Sequence, residues 1–352
     1  MNAPFTLSRE TIRAVDLKQP DEAARLEGFV AQSGGSVFHR PAWLLAVEDS
    51  TGQTARGLIA EKSGRLTGWL PLTELHSPVF GRALASSGFG VEGGVLADDT
   101  DTIRNLCSAV QEYALRLSCP TIELRGPTIG EEWQLREDSH CGFVAPLRDD
   151  EESQLKAIPR KQRAEVRKGL RNSLRVSIGS SPIDRANHFA VYSESVRNLG
   201  TPVFPKRLFA AVLDRLDSDI LTISEGGTPV ASVLSLYHDG AVMPYWGGGT
   251  RSARHRRAND RMYFELMLHA RARGCDRFDF GRSKTGSGAW SFKKNWGFDP
   301  QPLSYASWTA PGHEARDADP TSAQHQMRIA LWKKLPLPLA NRLGPLIARG
   351  LG

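Results

Sequence analysis

Apolar and polar positions alternate along paired stretches of this chain, with short glycine turns between them, and each such pair predicts an antiparallel hairpin. In the first half these are GLIAEK (57–62) and RLTGWLPLT (65–73) around Ser63-Gly64. In the second half they are ILTISE (220–225), VASVLSLYH (230–238) and AVMPYW (241–246), joined by Gly226-Gly227 and Asp239-Gly240. The period then changes to that of a helix at 102–117 and at 258–273. A short apolar strand follows each, TIELR (121–125) and RFDFG (277–281). Strand, helix, strand in that order implies a right-handed crossover and a parallel pair. Further helical periods fall at 21–32, 41–49, 151–172, 184–198 and 205–217, with Asp21 and Asp184 placed as helix caps.

The two halves repeat one another in order. Gly93 to Gly247 spans 154 positions and Gly126 to Gly281 spans 155, a nearly constant offset that argues for a duplication. Each half reads as a mixed α/β sandwich. The expected division is a first domain over 1–148, a second over 149–309 and a polar linker with Pro311, Gly312 and Pro320 over 310–323. A basic, apolar tail over 324–352 follows. Pro336, Pro338 and Pro345 are expected to break that tail into short segments.

The net charge of +6 is modest for 352 residues, and its placement carries more information than its size. From Lys156 to Arg175 eight basic residues face one acid, Glu165; five arginines lie between Arg251 and Arg261; and no acid occurs from 321 to 352. Cys107, Cys119, Cys141 and Cys275 form no CxxC pair and have no histidine at metal-ligand spacing, so neither a disulfide framework nor a metal site is expected. The start, MNAPFTLSRE, lacks the charge and apolar run of a signal peptide, and no stretch reaches 18 apolar residues. A cytoplasmic protein is expected. The tail has two readings, a piece docked on the second domain or an interfacial anchor touching the inner face of the cytoplasmic membrane.

Several catalytic motifs fail on inspection. SFKK (291–294) and KTG (284–286) match two penicillin-recognising motifs but stand in the wrong order, and SDN is missing. GRSKTGS (281–287) has P-loop glycine spacing with serine where the phosphate lysine belongs. No GxSxG, HExxH or GxGxxG occurs.

Three segments remain. Arg160, Arg163, Arg167 and Arg171 share one helix face, either a solvated face or a site for a phosphate-rich ligand. GGGT (247–250) runs into an arginine-rich helix start, where backbone N–H groups and the dipole suit a phosphate. The most specific segment is FDFGRSKTGSGAWSFKKNWG (278–297), which sets Lys293 between Phe292 and Trp296, a confined cation suited to developing negative charge.

That last string resembles the D-x-G … F-K-x-x-[FW]-G end of the Fem family of aminoacyl transferases, which are built from two tandem GNAT-like N-acyltransferase domains. VFHRPAW (37–43) and the basic helix opening the second half are similar to the corresponding parts of those chains. The match is closest to a FemAB-like branch associated with exosortase and PEP-CTERM surface-sorting systems, and it spans about residues 30–308. The resemblance implies an α/β fold of two GNAT-like domains and transfer of an aminoacyl or acyl group to an amine. It implies that Lys293 steadies the oxyanion of the tetrahedral intermediate. The coiled-coil arm that some Fem enzymes use for transfer RNA has no counterpart, so the donor stays open between aminoacyl-tRNA and acyl-CoA, as co-substrate rather than bound cofactor.

The expected enzyme makes an amide bond on a cell-envelope or polysaccharide-linked amine, with a phosphorylated or lipid-linked acceptor. Lys293 and Asp279 are the catalytic candidates, Asp279 as a proton acceptor at a strand end. Arg160, Arg163, Arg167, Arg282, Lys284, Tyr245 and Trp296 are candidates for substrate binding. Gly248, Gly249, Arg256, Arg257 and Asn259 are candidates for donor binding. The alternatives are an acyl-CoA-dependent N-acyltransferase acting on a small molecule and, in another class, a non-catalytic RNA-binding protein.

Overall fold

The computed structural model describes residues 10–78, 81–126, 128–314 and 329–350. Most of the N-terminal decapeptide, much of the linker and both ends of the tail lie outside them. The chain divides into two compact units, 1–136 with 304–317 and 352, and 137–303 with 318–351.

In the first unit the Ser63-Gly64 turn has both residues at positive φ (53° and 75°), the geometry that matches a two-residue turn to the strand twist. It joins Thr54–Lys62 to Arg65–Ser77 in an antiparallel pair. Gly81–Ala85 continues that sheet, and the crossover helix Thr100–Arg116, capped by Asp99 on the Thr102 N–H, leads to Thr121–Arg125, parallel to Gly81–Ala85. The next strand in this sheet is Tyr305–Thr309, antiparallel to Thr121–Arg125 through five registered pairs, with Ala306 and Trp308 buried. This corrects the division expected from sequence, which ended the second domain at 309. The other boundary moves from 148 to 136, because Val144–Pro146 pairs with Arg277–Asp279 in the second sheet.

The second unit holds a six-stranded sheet in the order Leu174–Gly179, Ser218–Glu225, Thr228–His238, Ala241–Gly249, Arg277–Asp279, Val144–Pro146. The crossover helix Ala258–Ala272 buries Met262, Phe264, Leu266, Met267 and Ala270. The single helix expected over 151–172 is two, Glu151–Ala157 and Arg160–Arg171. Pro159 drives Ile158 into extended backbone and ends the first of them.

Helix Pro182–Leu199 begins with a Ser181/Asp184 capping box and ends at left-handed Gly200. The tail packs against it. Helix Leu337–Ala348 turns Ala340, Gly344 and Ala348 inward, Gly344 lies so close to Val203 that a Cβ would stand 2.9 Å from its nitrogen, and Asn341 Nδ2 donates to Ser193 Oγ at 3.4 Å. The expected break falls at Pro336, where a turn separates the helical residues up to 332 from the helix that begins at Leu337, and Pro338 and Pro345 do not break that helix. Pro336 is the N-cap residue and Pro338 lies in the first turn, where a proline's missing N–H costs nothing, while Pro345 lies within the helix. Among the described residues no helix is long and apolar enough to cross a membrane.

Candidate functional site

The strands Ala241–Gly249 and Arg277–Asp279 run parallel but pair at only two positions, Ala241 with Arg277 and Val242 with Phe278. Among the described residues these two strands share no registered pair beyond Val242 and Phe278. A bulge at Tyr245, the extra residue between the pairs Ser235–Pro244 and Leu234–Trp246, falls just beyond that pair. A cavity of about 380 Å³ opens at the end of this strand, lined by Gly247, Gly248, Gly249 and Thr250. Helix Pro182–Leu199 closes one side of it with Ser195, Asn198 and Leu199. Arg251, Arg254, Asn259, Tyr263 and Phe292 complete the wall.

The glycines are demanded by this geometry. A Cβ on Gly248 would collide with Ser195 Oγ and lie 2.6 Å from Ser195 Cβ, and one on Gly249 would collide with Asn259 Oδ1. Two residues of the wall, Asn198 and Asn259, each bury an amide oxygen (Oδ1) with no hydrogen-bond partner among the described residues. A buried acceptor left unpaired costs about 1–3 kcal/mol. The Tyr263 hydroxyl would stand 3.3 Å from a Cβ on Gly247. Burial, helped by the charge of Asp260, pushes this phenol up to about 12, which keeps it protonated as a donor at neutral pH.

Next to the cavity, the loop after Asp279 is folded around Lys293. The Asp279 carboxylate accepts the Gly281 N–H at 2.8 Å, turning the chain off the strand. Helix Gly288–Asn295, capped by Ser287, then carries Lys293 inward. Its Nζ donates to the carbonyls of Gly281 at 3.1 Å and Arg282 at 2.9 Å, and lies 5.3 Å and 5.7 Å from the Phe143 and Phe280 ring centres. The side chain is 9% exposed. Burial lowers its pKa to about 8 against the opposing pull of Asp279, and the Arg282 charge adds to the lowering. Two of three ammonium N–H groups are therefore spent on the loop and one remains. Phe292 and Trp296 pack with Tyr263 and Phe280, so the motif is anchored to the crossover helix by its aromatics.

Of the candidates read from sequence, Gly248, Gly249 and Asn259 line the cavity. Arg256 and Arg257 do not; Arg256 pairs with Glu225 at 2.5 Å and Arg257 with Glu165. Arg257 takes a left-handed conformation (φ 55°) that breaks the run into two helices, Arg251–Arg256 and Ala258–Ala272, and the arginines facing the cavity are instead Arg251 and Arg254. Trp296 is 3% exposed and supports the aromatic cluster, and Tyr245 sits on the bulge with its ring against Trp246. Lys284 pairs across to His140 in a small separate sheet, two residues beyond the Gly281-Arg282 turn clamped by Lys293. In the basic helix Gln162, Val166 and Gly169 are buried, and Gly169 fits against the Arg257 carbonyl. Arg160 and Arg167 are exposed on the opposite side, whereas Arg163 turns back to the Ile158 carbonyl at 3.0 Å. Ser195, Asn198 and Tyr263 were not singled out by sequence; the only trace of them there is the glycine triplet, which shows close approach but not by what. Among the described residues no group of three His, Cys, Asp or Glu side chains could hold a metal ion, and all four cysteines are free and buried.

Residues 160–294 match the family described as acetyltransferase (GNAT) domain. Among solved structures, the chain is similar to a crystal structure of FemX at 13% identity, over 92% of this chain and 100% of that one, with a TM-score of 0.64. It is also similar to a tandem GNAT protein from the clavulanic acid biosynthesis pathway at 10% identity, over 87% and 100%, with a TM-score of 0.56. A third likeness is to the C-terminal domain of a putative lysylphosphatidylglycerol synthetase from Agrobacterium fabrum, at 12% identity over 82% and 91%, with a TM-score of 0.53. No curated protein matches the sequence. The match of residues 160–294 to a GNAT acetyltransferase domain and the likeness to solved acyltransferase structures support an acyltransferase, in a chain that shares its fold with FemX and a tandem GNAT protein.

Proposed function

We propose that this chain transfers an acyl or aminoacyl group to an amine, and that the bond is made in the cleft at the end of the strand Ala241–Gly249. The observation that carries this reading is the cavity of about 380 Å³ where the strand ends in Gly247–Gly249, glycines that leave its backbone uncovered by side chains of their own and that run into Arg251 and Arg254. Backbone amides of such a glycine stretch can hydrogen-bond an extended ligand directly. Arg251 and Arg254 stand at its end, as a phosphate-bearing donor requires, whether aminoacyl-tRNA or acyl-CoA.

In the reaction the amine nitrogen attacks the carbonyl carbon of an ester or thioester, and the C–N bond forms as the C–O or C–S bond breaks. The proton lost by the amine goes to a base, for which Asp279 is the proposed candidate, and the leaving oxygen or sulfur takes up a proton. Lys293, which is next to the cavity through Phe292 and does not line it, would offer the oxyanion the N–H not spent on the loop carbonyls, and Tyr263 would offer a neutral O–H from the cavity wall. The acceptor we propose is a cell-envelope or polysaccharide-linked amine. The names of the FemX and lysylphosphatidylglycerol synthetase structures support amino-acid transfer, and the 278–297 motif supports the FemAB-like branch associated with exosortase and PEP-CTERM systems.

The test is to incubate the purified protein separately with labelled aminoacyl-tRNA and labelled acyl-CoA. The reading expects one donor to be retained, and its label to pass to an added amine. Retention of neither, by a protein whose circular dichroism shows it folded, refutes it.

A further inference from the structure

The tail helix Leu337–Ala348 has two faces of different character. Ala340, Gly344 and Ala348, small and spaced by four, lie against the body of the second unit. Leu339, Leu343 and Leu346, spaced by four and three, lie on the opposite side and are 43%, 38% and 61% exposed; Leu331, just before the helix, is 62% exposed. Packing on the unit therefore does not explain these leucines. A row of leucines left exposed among the described residues marks an interaction surface. Helical spacing puts the exposed Arg342 beside the same row, and Lys333 and Lys334 are exposed one turn before the helix. No Asp or Glu occurs anywhere from 321 to 352.

The leucine row is tied to the cleft. Arg197 donates to the Lys333 carbonyl at 3.3 Å, and a Cβ on Gly200 would lie 3.0 Å from Lys333 Cε, so the tail grips the end of helix Pro182–Leu199. The same helix end supplies Asn198 and Leu199 to the cavity wall, and Leu199 is itself 62% exposed.

We infer that the outer face of this tail docks on an anionic bilayer surface, its leucines entering the headgroup boundary and its lysines and arginines meeting lipid phosphates. The occupant is specified by charge and shape together. A protein groove would cover the leucines equally well, but an acid-free segment with cations beside its apolar row suits a uniformly anionic plane. Docking of this kind goes beyond the acyl-transfer reading and does not depend on it. It holds the Asn198–Leu199 edge of the cleft at the membrane, where a lipid-linked acceptor would be found.

The test is flotation of the full-length protein with vesicles of phosphatidylglycerol and phosphatidylcholine, and with vesicles of phosphatidylcholine alone. Binding is expected to the anionic vesicles and to be weakened by salt. The triple variant Leu339→Ser/Leu343→Ser/Leu346→Ser should keep the melting curve of the parent, since all three side chains are exposed, and should lose binding at least tenfold. Lys333→Gln/Lys334→Gln/Arg342→Gln should lose roughly fivefold per charge removed. Sedimentation velocity is run on the same proteins. The inference is overturned if the parent binds neither vesicle, or if the leucine variant binds like the parent. It is equally overturned if the parent is a dimer that the leucine variant splits, for then a second copy covers the face.

Discussion

Removing the Lys293 amine should change the pH dependence of stability in a direction the structure specifies. The ammonium is buried against Phe143 and Phe280, and burial lowers its pKa from the ordinary 10.5 to about 8. Between these two values the unfolded chain holds a proton that the folded chain has given up, so folding becomes more favourable as pH rises through that window. At about 1.4 kcal/mol per pH unit the full window corresponds to about 3 kcal/mol, of which about 2 kcal/mol is gained between pH 7 and pH 9.5. Lys293→Met keeps the apolar stem, removes the titrating group and frees the carbonyls of Gly281 and Arg282. The parent should therefore gain about 2 kcal/mol on the variant between pH 7 and pH 9.5, read from urea midpoints followed by circular dichroism at both pH values. Parallel curves for the two proteins would show that the amine is solvated and that its enclosure by the 278–297 loop has no energetic weight.

Lys293→Ala should lower kcat by about 10²–10³-fold if its third N–H meets the oxyanion, whereas Lys294→Ala, exposed and 4.5 Å over the Trp290 ring, should lower it far less; equal rates for parent and Lys293→Ala would make the lysine a clamp on the loop alone. Gly248→Ala drives a methyl into Ser195 and should cost about 1–3 kcal/mol and close the cleft, with Ser195→Gly in the same chain restoring both donor retention and melting temperature; failure of that rescue would mean the cavity is not where the donor lies. Replacing Arg160, Arg163 and Arg167 by Gln should leave the fold intact but weaken binding of a phosphorylated substrate and flatten its salt dependence, measured by titration at several ionic strengths; unchanged affinity would make the exposed face only a solvated one. Truncation after Pro320 should lower the melting temperature, because Gly344, Asn341 and Lys333 contact the body of the second unit; an unchanged melting curve would contradict that packing.

What could be read from sequence divides along the range of the interactions involved. Ser63-Gly64, Gly226-Gly227 and Asp239-Gly240 announce their hairpins because a two-residue turn at positive φ is a local requirement, and all six residues have it. The partner of Tyr305–Thr309 is not announced. Its alternation states only that one side is buried, and the strand pairs with Thr121–Arg125, about 180 positions earlier. The site shows the same division at finer grain. The 278–297 motif is legible because its glycines, aromatics and lysine act on one another within twenty residues, Lys293 on Gly281 and Arg282 above all. Arg256 and Arg257 read as free cations because their carboxylates, Glu225 and Glu165, lie far off in sequence. Gly248 is the instructive case between the two. Its sequence context says that no side chain fits there, but only the folded helix Pro182–Leu199 shows that Ser195 fills the place, and hence that this helix forms a wall of the cleft. Because the tail meets the end of that helix through the Arg197–Lys333 hydrogen bond and the close approach at Gly200, residues 329–350 are coupled by non-covalent contacts to the turn that carries Asn198 into the cavity wall.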